Sequence, residues 1–341
     1  MPPTTFQDRM RAAAQLTRAG DLHGATALIQ RALADRTPVH EARPTPTPSP
    51  ASAWRLPGPR PAGQVLRGRH TAAGLTREYR LFVPAPRTDR APGLVVMLHG
   101  CTQDADDFAA GTGMDALAAE QGLCVLYPSQ STKANPNGCW NWFKHGHQGR
   151  GRGEPALLAS LTSEIAGQQA VDPGRVYVAG LSAGGAMALV LGESYPETFA
   201  AIGVHSGLPR GSANDVPSAL RAMNQGPGPG VQEGVLPTIV FHGDADTTVH
   251  PRNGQAVASR RDTTLSGRQA IPSDAGGRSC TLTVYQDPQG RVVAEHWLVH
   301  GAGHAWSGGQ PGGSHVDPRG PDASREMVRF FLAHARPDRG S

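Results

Sequence analysis

The chain has 341 residues, enough for one large domain with a small appendage. Its formal charge of +4 rests almost wholly on arginines scattered singly, so no basic stripe for nucleic acid is present. The first 35 residues hold no apolar run of signal-peptide or membrane-span length, so an unexported, cytoplasmic protein without a membrane span is expected.

Residues 6–18 and 21–35 read as two short amphipathic helices, broken at Gly20 and restarted at Asp21, a residue type that caps helices. This helical N-terminal segment, 1–36, is followed over 37–62 by a linker centred on Pro-Thr-Pro-Thr-Pro-Ser-Pro, where proline removes backbone donors and favours extended geometry. A domain over 63–337 begins with two strands, between Gly63 and Pro84, around a glycine turn. Strands then fall at Leu94–Leu98, Leu123–Tyr127, Val176–Ala179, Ala201–Val204, Thr238–Phe241 and Trp297–Val299, and helices near 114–120, 154–169, 183–194 and 322–335. Short apolar strands alternating with helices predict an α/β fold, a mostly parallel central sheet with helices on both faces.

Gly180-Leu181-Ser182-Ala183-Gly184 matches G-x-S-x-G. With 43 glycines and 19 serines, chance supplies about 0.3 such motifs in this chain, so the context decides. An apolar strand precedes Ser182 and a helix start follows it, which is the setting of a nucleophile elbow. The new helix also aims its free N–H groups and positive dipole end at the place where negative charge develops.

His304 lies just beyond the last apolar strand, in HGAGHAW, where a general base can be presented. His300 stands four residues before it, but two intervening glycines and the lack of H-E-x-x-H argue against a zinc pair. The turn FHGDAD offers two carboxylates to orient the histidine; Asp246 is preferred, with Asp244 the alternative. The order Ser182, Asp246, His304 is that of α/β hydrolases. LHGCTQ, ending the first central strand, supplies the second oxyanion donor: the Cys101 amide is assigned beside that of Ala183, with Thr102 as the other choice. His99 is read as structural.

The four cysteines, 101, 124, 139 and 280, have no C-x-x-C spacing, so neither zinc nor a redox dithiol is indicated. Reduced, structural thiols are expected, with Cys101 and Cys139 the pair that an oxidising compartment would join.

LHGCTQ at 98–103, NGCWNWF at 137–143, VDPGRVYVAGLSAGGAMA at 171–188, FHGDAD at 241–246 and GAGHAWSGG at 301–309 together resemble the polyhydroxybutyrate (PHB) depolymerase family of esterases, relatives of feruloyl and acetylxylan esterases. The resemblance spans roughly residues 64–335. It implies an α/β-hydrolase domain that cleaves short hydroxyacyl or aromatic acyl esters, without metal or cofactor. Secreted members carry a signal peptide and a polymer-binding domain; small or oligomeric esters are therefore the expected partners here. Trp140, Trp142 and Trp306, three of five tryptophans, each fall in a loop near a predicted catalytic residue and are expected to line the substrate cleft. A serine peptidase on the same fold, or a polyester-granule binding protein, are the rival readings.

Overall fold

The computed structural model describes Ala12 and residues 62–337, apart from 87–89, 229–233, 235, 260–262 and 274–275. The chain divides into two units, Met1–Pro59 and Arg60–Ser341. The predicted helical pair and linker lie outside the described residues, save for Ala12, which is helical, and Ala62.

In the second unit, β1 (Gly63–Ala72) and β2 (Leu75–Pro84) form a hairpin. Its two-residue loop, Ala73-Gly74, has φ of 51° and 70°, the positive pair that matches strand twist in a tight hairpin. Then follow β3 (Gly93–Leu98), α1 (Ala105–Thr112), α2 (Met114–Gln121), β4 (Leu123–Pro128) and α3 (Gly153–Gln168). Next come β5 (Val176–Leu181), α4 (Ala183–Ser194), β6 (Ala201–His205), α5 (Val216–Gln225), β7 (Thr238–Gly243) and α6 (Arg252–Ala258). The remainder is β8 (Thr264–Ile271), β9 (Cys280–Gln286), β10 (Val292–Val299), β11 (Trp306–Ser307), β12 (Val316–Asp317) and α7 (Ala323–Ala333).

The large sheet runs β1-β2-β4-β3-β5-β6-β7-β10-β9-β8. From β4 to β10 the neighbours are parallel, and an antiparallel hairpin closes each end. Alternation within each strand divides the core in two. Leu94, Val96 and Leu98 join Leu157, Leu161 and Ile165 of α3 and Met187 of α4 on one face. Val95 and Met97 join Phe108 of α1, Met114 of α2 and Phe330 and Phe331 of α7 on the other. A strand buried on both faces has no polar positions to alternate, which is why the central strands read as unbroken apolar runs.

Sequence reading does not find β8, β9, α1, α5 and α6. β8 is exposed along almost its whole length, so no apolar period marks it. α1 and α5 are short and set by their caps: the Asp104 carboxylate accepts from the Asp106 and Asp107 amides, and Asp215 and Ser218 form a reciprocal capping box.

Candidate active site

The carboxyl ends of β3, β5, β7 and β10 lie along one edge of the sheet, where open α/β sheets bind ligands. Ser182 follows β5 directly, with φ 57° and ψ −119°. A serine held there is strained by roughly 1–3 kcal/mol, and neighbouring contacts must enforce it. They do so by close crossing of two backbones. A Cβ on Gly184 would stand 1.9 Å from the Leu98 carbonyl oxygen, and one on Gly180 would stand 2.4 Å from Gly184 C. The Ser182 amide donates to His205 O at 2.9 Å, and the Ala186 amide donates to Ser182 O at 2.9 Å.

His205 ends β6 and is buried between Trp306 and Phe241, with ring centroids 5.0 and 5.9 Å away. Its Nε2 accepts from the Ser307 amide at 2.9 Å, so the proton sits on Nδ1, facing Ser206 Oγ at 3.1 Å. Burial, with the nearby His242 and His304, pushes its pKa down to about 3. A neutral ring thereby ties the strand end beside Ser182 to the segment that follows His304. The sequence motifs do not single out His205; VHSG after an apolar strand was the available signal.

His304 Nδ1 donates to Asp246 Oδ2 at 2.7 Å, which leaves Nε2 as the free basic nitrogen. The other oxygen, Asp246 Oδ1, accepts from the Thr248 and Val249 amides, both at 2.9 Å. His242 Nε2 lies 3.5 Å from Asp246 Oδ2 and donates to Val249 O at 2.8 Å. Burial opposes ionisation of Asp246, but hydrogen bonds from His242 and His304 outweigh it and hold the carboxyl well below the usual carboxylate range. Asp244 is differently engaged: it accepts from His300 Nδ1 at 2.8 Å and the Gly301 amide at 2.7 Å. The carboxylate on His304 is thus that of Asp246.

The segment after β3 runs against the elbow, since the Leu98 and His99 carbonyls meet the backbone of Gly184. His99 is buried; its Nδ1 donates to Gly100 O at 2.7 Å and its Nε2 accepts from the Gln130 amide at 3.0 Å. The Thr102 amide is spent on Asn137 O at 2.8 Å. Among the described residues, no carbonyl or side chain accepts from the Cys101 or Ala183 amides. Both stand where the two loops meet.

Cys101 is joined to Cys139 by a disulfide, while Cys124 and Cys280 are free and buried, their thiols pushed up to about 11 by burial. The expectation of reduced thiols is thus corrected for Cys101 and Cys139, the pair that the sequence singled out as joinable, whose two loops fold onto each other. Behind Cys139 lies Glu154 at the start of α3, which sequence reading misses. It is 0% exposed and accepts from Gln130 Nε2 at 2.6 Å, Asn141 N at 2.7 Å, Asn141 Nδ2 at 2.8 Å and Arg77 Nη2 at 3.0 Å. Burial alone would raise its pKa; hydrogen bonds from His147, Gln130 and Asn141 instead bring it down to about 2. Gln130 Nε2 also donates to Cys139 O at 2.9 Å, so this carboxylate anchors the disulfide loop.

The tryptophans are placed otherwise than expected. Trp140 and Trp306 are 0% and 1% exposed, and Trp142 is 6% exposed. Trp140 packs on His99, and Trp306 on His205 and Phe108, with its Nε1 donating to Ser324 Oγ at 3.0 Å. These two seal their loops onto the sheet, which corrects the expected cleft wall at both, while Trp142 packs edge-on against Phe143 with ring centroids 5.7 Å apart. Rings of this size gain more by leaving water among available neighbours than by facing it.

The sequence pattern described as "Esterase PHB depolymerase" matches residues 77–268. Poly(3-hydroxyalkanoate) depolymerase C of Paucimonas lemoignei is 34% identical over 256 residues, 69% of this chain and 58% of its own length. Feruloyl esterase B of Thermothelomyces thermophilus is 31% identical over 192 residues, 50% of this chain and 65% of its own. The chain thus spans less than two thirds of either relative. The solved acetyl xylan esterase from Aspergillus awamori superposes with a TM-score of 0.60 at 20% identity, covering 78% of this chain and 99% of that one. That likeness shows the fold, an α/β-hydrolase with a mostly parallel sheet.

Proposed function

Since the chain belongs to the esterase PHB depolymerase family, we propose that it is a serine carboxylic-ester hydrolase with Ser182 as nucleophile, His304 as general base and Asp246 as the orienting acid. The observation that carries this reading is the 2.7 Å hydrogen bond from His304 Nδ1 to the ionised Asp246, at the same sheet edge as the strained Ser182. Asp246 fixes the tautomer, so Nε2 can take the Ser182 hydroxyl proton as Oγ attacks the ester carbonyl. The alkoxide is received by the Cys101 and Ala183 amides. His304 then protonates the departing alcohol. Water, deprotonated by the same ring, releases the acid from the acyl-enzyme.

The substrate class is short hydroxyacyl esters, including hydroxybutyrate oligomers. The hydroxyalkanoate relative aligns with 69% of the chain and the feruloyl relative with 50%, which ranks aromatic acyl esters second. The test is hydrolysis of p-nitrophenyl acyl esters, methyl ferulate, hydroxybutyrate oligomers and matched amides by the native chain and Ser182→Ala. We expect ester cleavage that is lost in the folded variant by about 1000-fold or more. Full activity in Ser182→Ala would remove the nucleophile. Comparable amide rates would make it a peptidase, and an inert native chain would favour the binding reading.

A further inference from the structure

Two Asp–His pairs, and not one, bridge the ends of β7 and β10. The inner pair is Asp246–His304; the outer is Asp244–His300, with Oδ2 accepting from Nδ1 at 2.8 Å. β7 and β10 pair in parallel up to Gly243 beside Val299. Beyond that point the loops stay laced: the Asp244 amide donates to Val299 O and the Ala245 amide to Ala302 O, both at 3.1 Å. A Cβ on Gly243 would lie 2.2 Å from Ala302 O, so the contact is backbone on backbone.

We propose, resting on the catalytic reading above, that Asp244 and His300, with Thr281 behind them, are positioning residues that hold the turn presenting His304. Gly301 turns the chain between His300 and His304 at φ 65°. Its amide is fixed by Asp244 Oδ1 at 2.7 Å, and its carbonyl accepts from Arg278 Nη1. The His300 ring is held at both nitrogens. Because Nδ1–H is given to Asp244, Nε2 is the acceptor and the Thr281 hydroxyl donates to it across 2.9 Å. The turn therefore has one carboxylate gripping both a backbone amide and a side chain.

The pair is open to water, with His300 40% and Asp244 38% exposed. A solvent-exposed hydrogen-bonded pair of this kind adds only about 1 kcal/mol or less to stability. A catalytic group displaced by about 1 Å can cost about 100-fold in rate. The role therefore shows in turnover and not in folding. It also depends on shape more than on charge. In Asp244→Asn, Oδ1 still accepts from Gly301, and the amide can donate to His300 Nδ1 if the imidazole proton moves to Nε2, where Thr281 Oγ accepts it.

The experiment measures kcat, KM and Tm for Ser182→Ala, Asp244→Ala, Asp244→Asn, His300→Ala and the Asp244→Ala/His300→Ala double variant. Expected are a loss in kcat of about 10-fold for Asp244→Ala with KM within about twofold and Tm nearly unchanged, recovery of most of kcat in Asp244→Asn, and a double variant no worse than the poorer single one. Unchanged kcat in Asp244→Ala, an Asn variant as poor as the Ala variant, or a Tm collapse that accompanies the loss would each overturn the positioning role while Ser182→Ala still stands as the test of the nucleophile. Activity retained in Ser182→Ala would instead overturn the catalytic reading itself.

Discussion

At the scale of single residues, the central distinction is between Asp244 and Asp246, two positions apart and both facing histidines. The sequence offers both carboxylates in one turn. Burial separates them: Asp246 is enclosed with His242 and two backbone amides, whereas Asp244 stands in water. Asp246→Asn keeps the size but turns an acceptor into a donor toward His304, which favours the wrong tautomer. We expect kcat to fall by about 10⁴-fold with the fold intact, as such a change does in a serine protease triad; a loss below tenfold, measured against unchanged Tm, would argue that His304 is oriented by something else. Ser182 and His304 were legible by motif and by position after apolar strands, because an elbow needs glycines at fixed offsets. Glu154 and His205 were not legible. Each acts through partners more than twenty residues away in sequence for its key contacts, Arg77 for the first and Ser307 for the second.

At the scale of elements, α3 presents a buried carboxylate at its first turn to the loop holding Cys139, Trp140 and Asn141. Removing one partner of a buried ion pair leaves the other charge unsolvated, at a cost of about 3–5 kcal/mol. Glu154→Gln strands Arg77 and turns an amide group toward the donors of Asn141 and Gln130. Urea unfolding should report a loss in that range, and a loss under about 1 kcal/mol would mean that the loop holds itself. The central strands and four of the helical segments, α2, α3, α4 and α7, were visible from apolar runs and helical patterning. β8 and β9 were not, since a terminal hairpin of one exposed and one partly buried strand carries mixed polarity, and α1 and α5 depend on their capping side chains.

At the scale of the whole molecule, several buried imidazoles make the fold acid-sensitive. Burial, the largest cause in each, lowers the pKa of His205 and of His296 from 6.5 to about 3. Between those values the unfolded chain binds protons that the folded chain refuses, so stability is complete above about pH 6.5 and declines as pH falls, by about 1.4 kcal/mol per pH unit for each histidine. Glu154 adds to this below its ordinary value of 4.5, because its stabilising ionised form is lost as pH falls toward about 2. The urea midpoint should therefore drop steadily from pH 7 to pH 4; equal midpoints at the two would mean that these rings are not buried neutral. What the amino-acid sequence determined by itself was local: strand and helix periods, the glycine-bounded serine, and the order of the motifs along the chain. Tertiary structure closed what the sequence left open: Asp246 and not Asp244 meets His304, Cys101 and Cys139 are joined, and Trp140 and Trp306 are sealed inside. Those are choices between groups of like chemistry, and only distance and exclusion of water distinguish them.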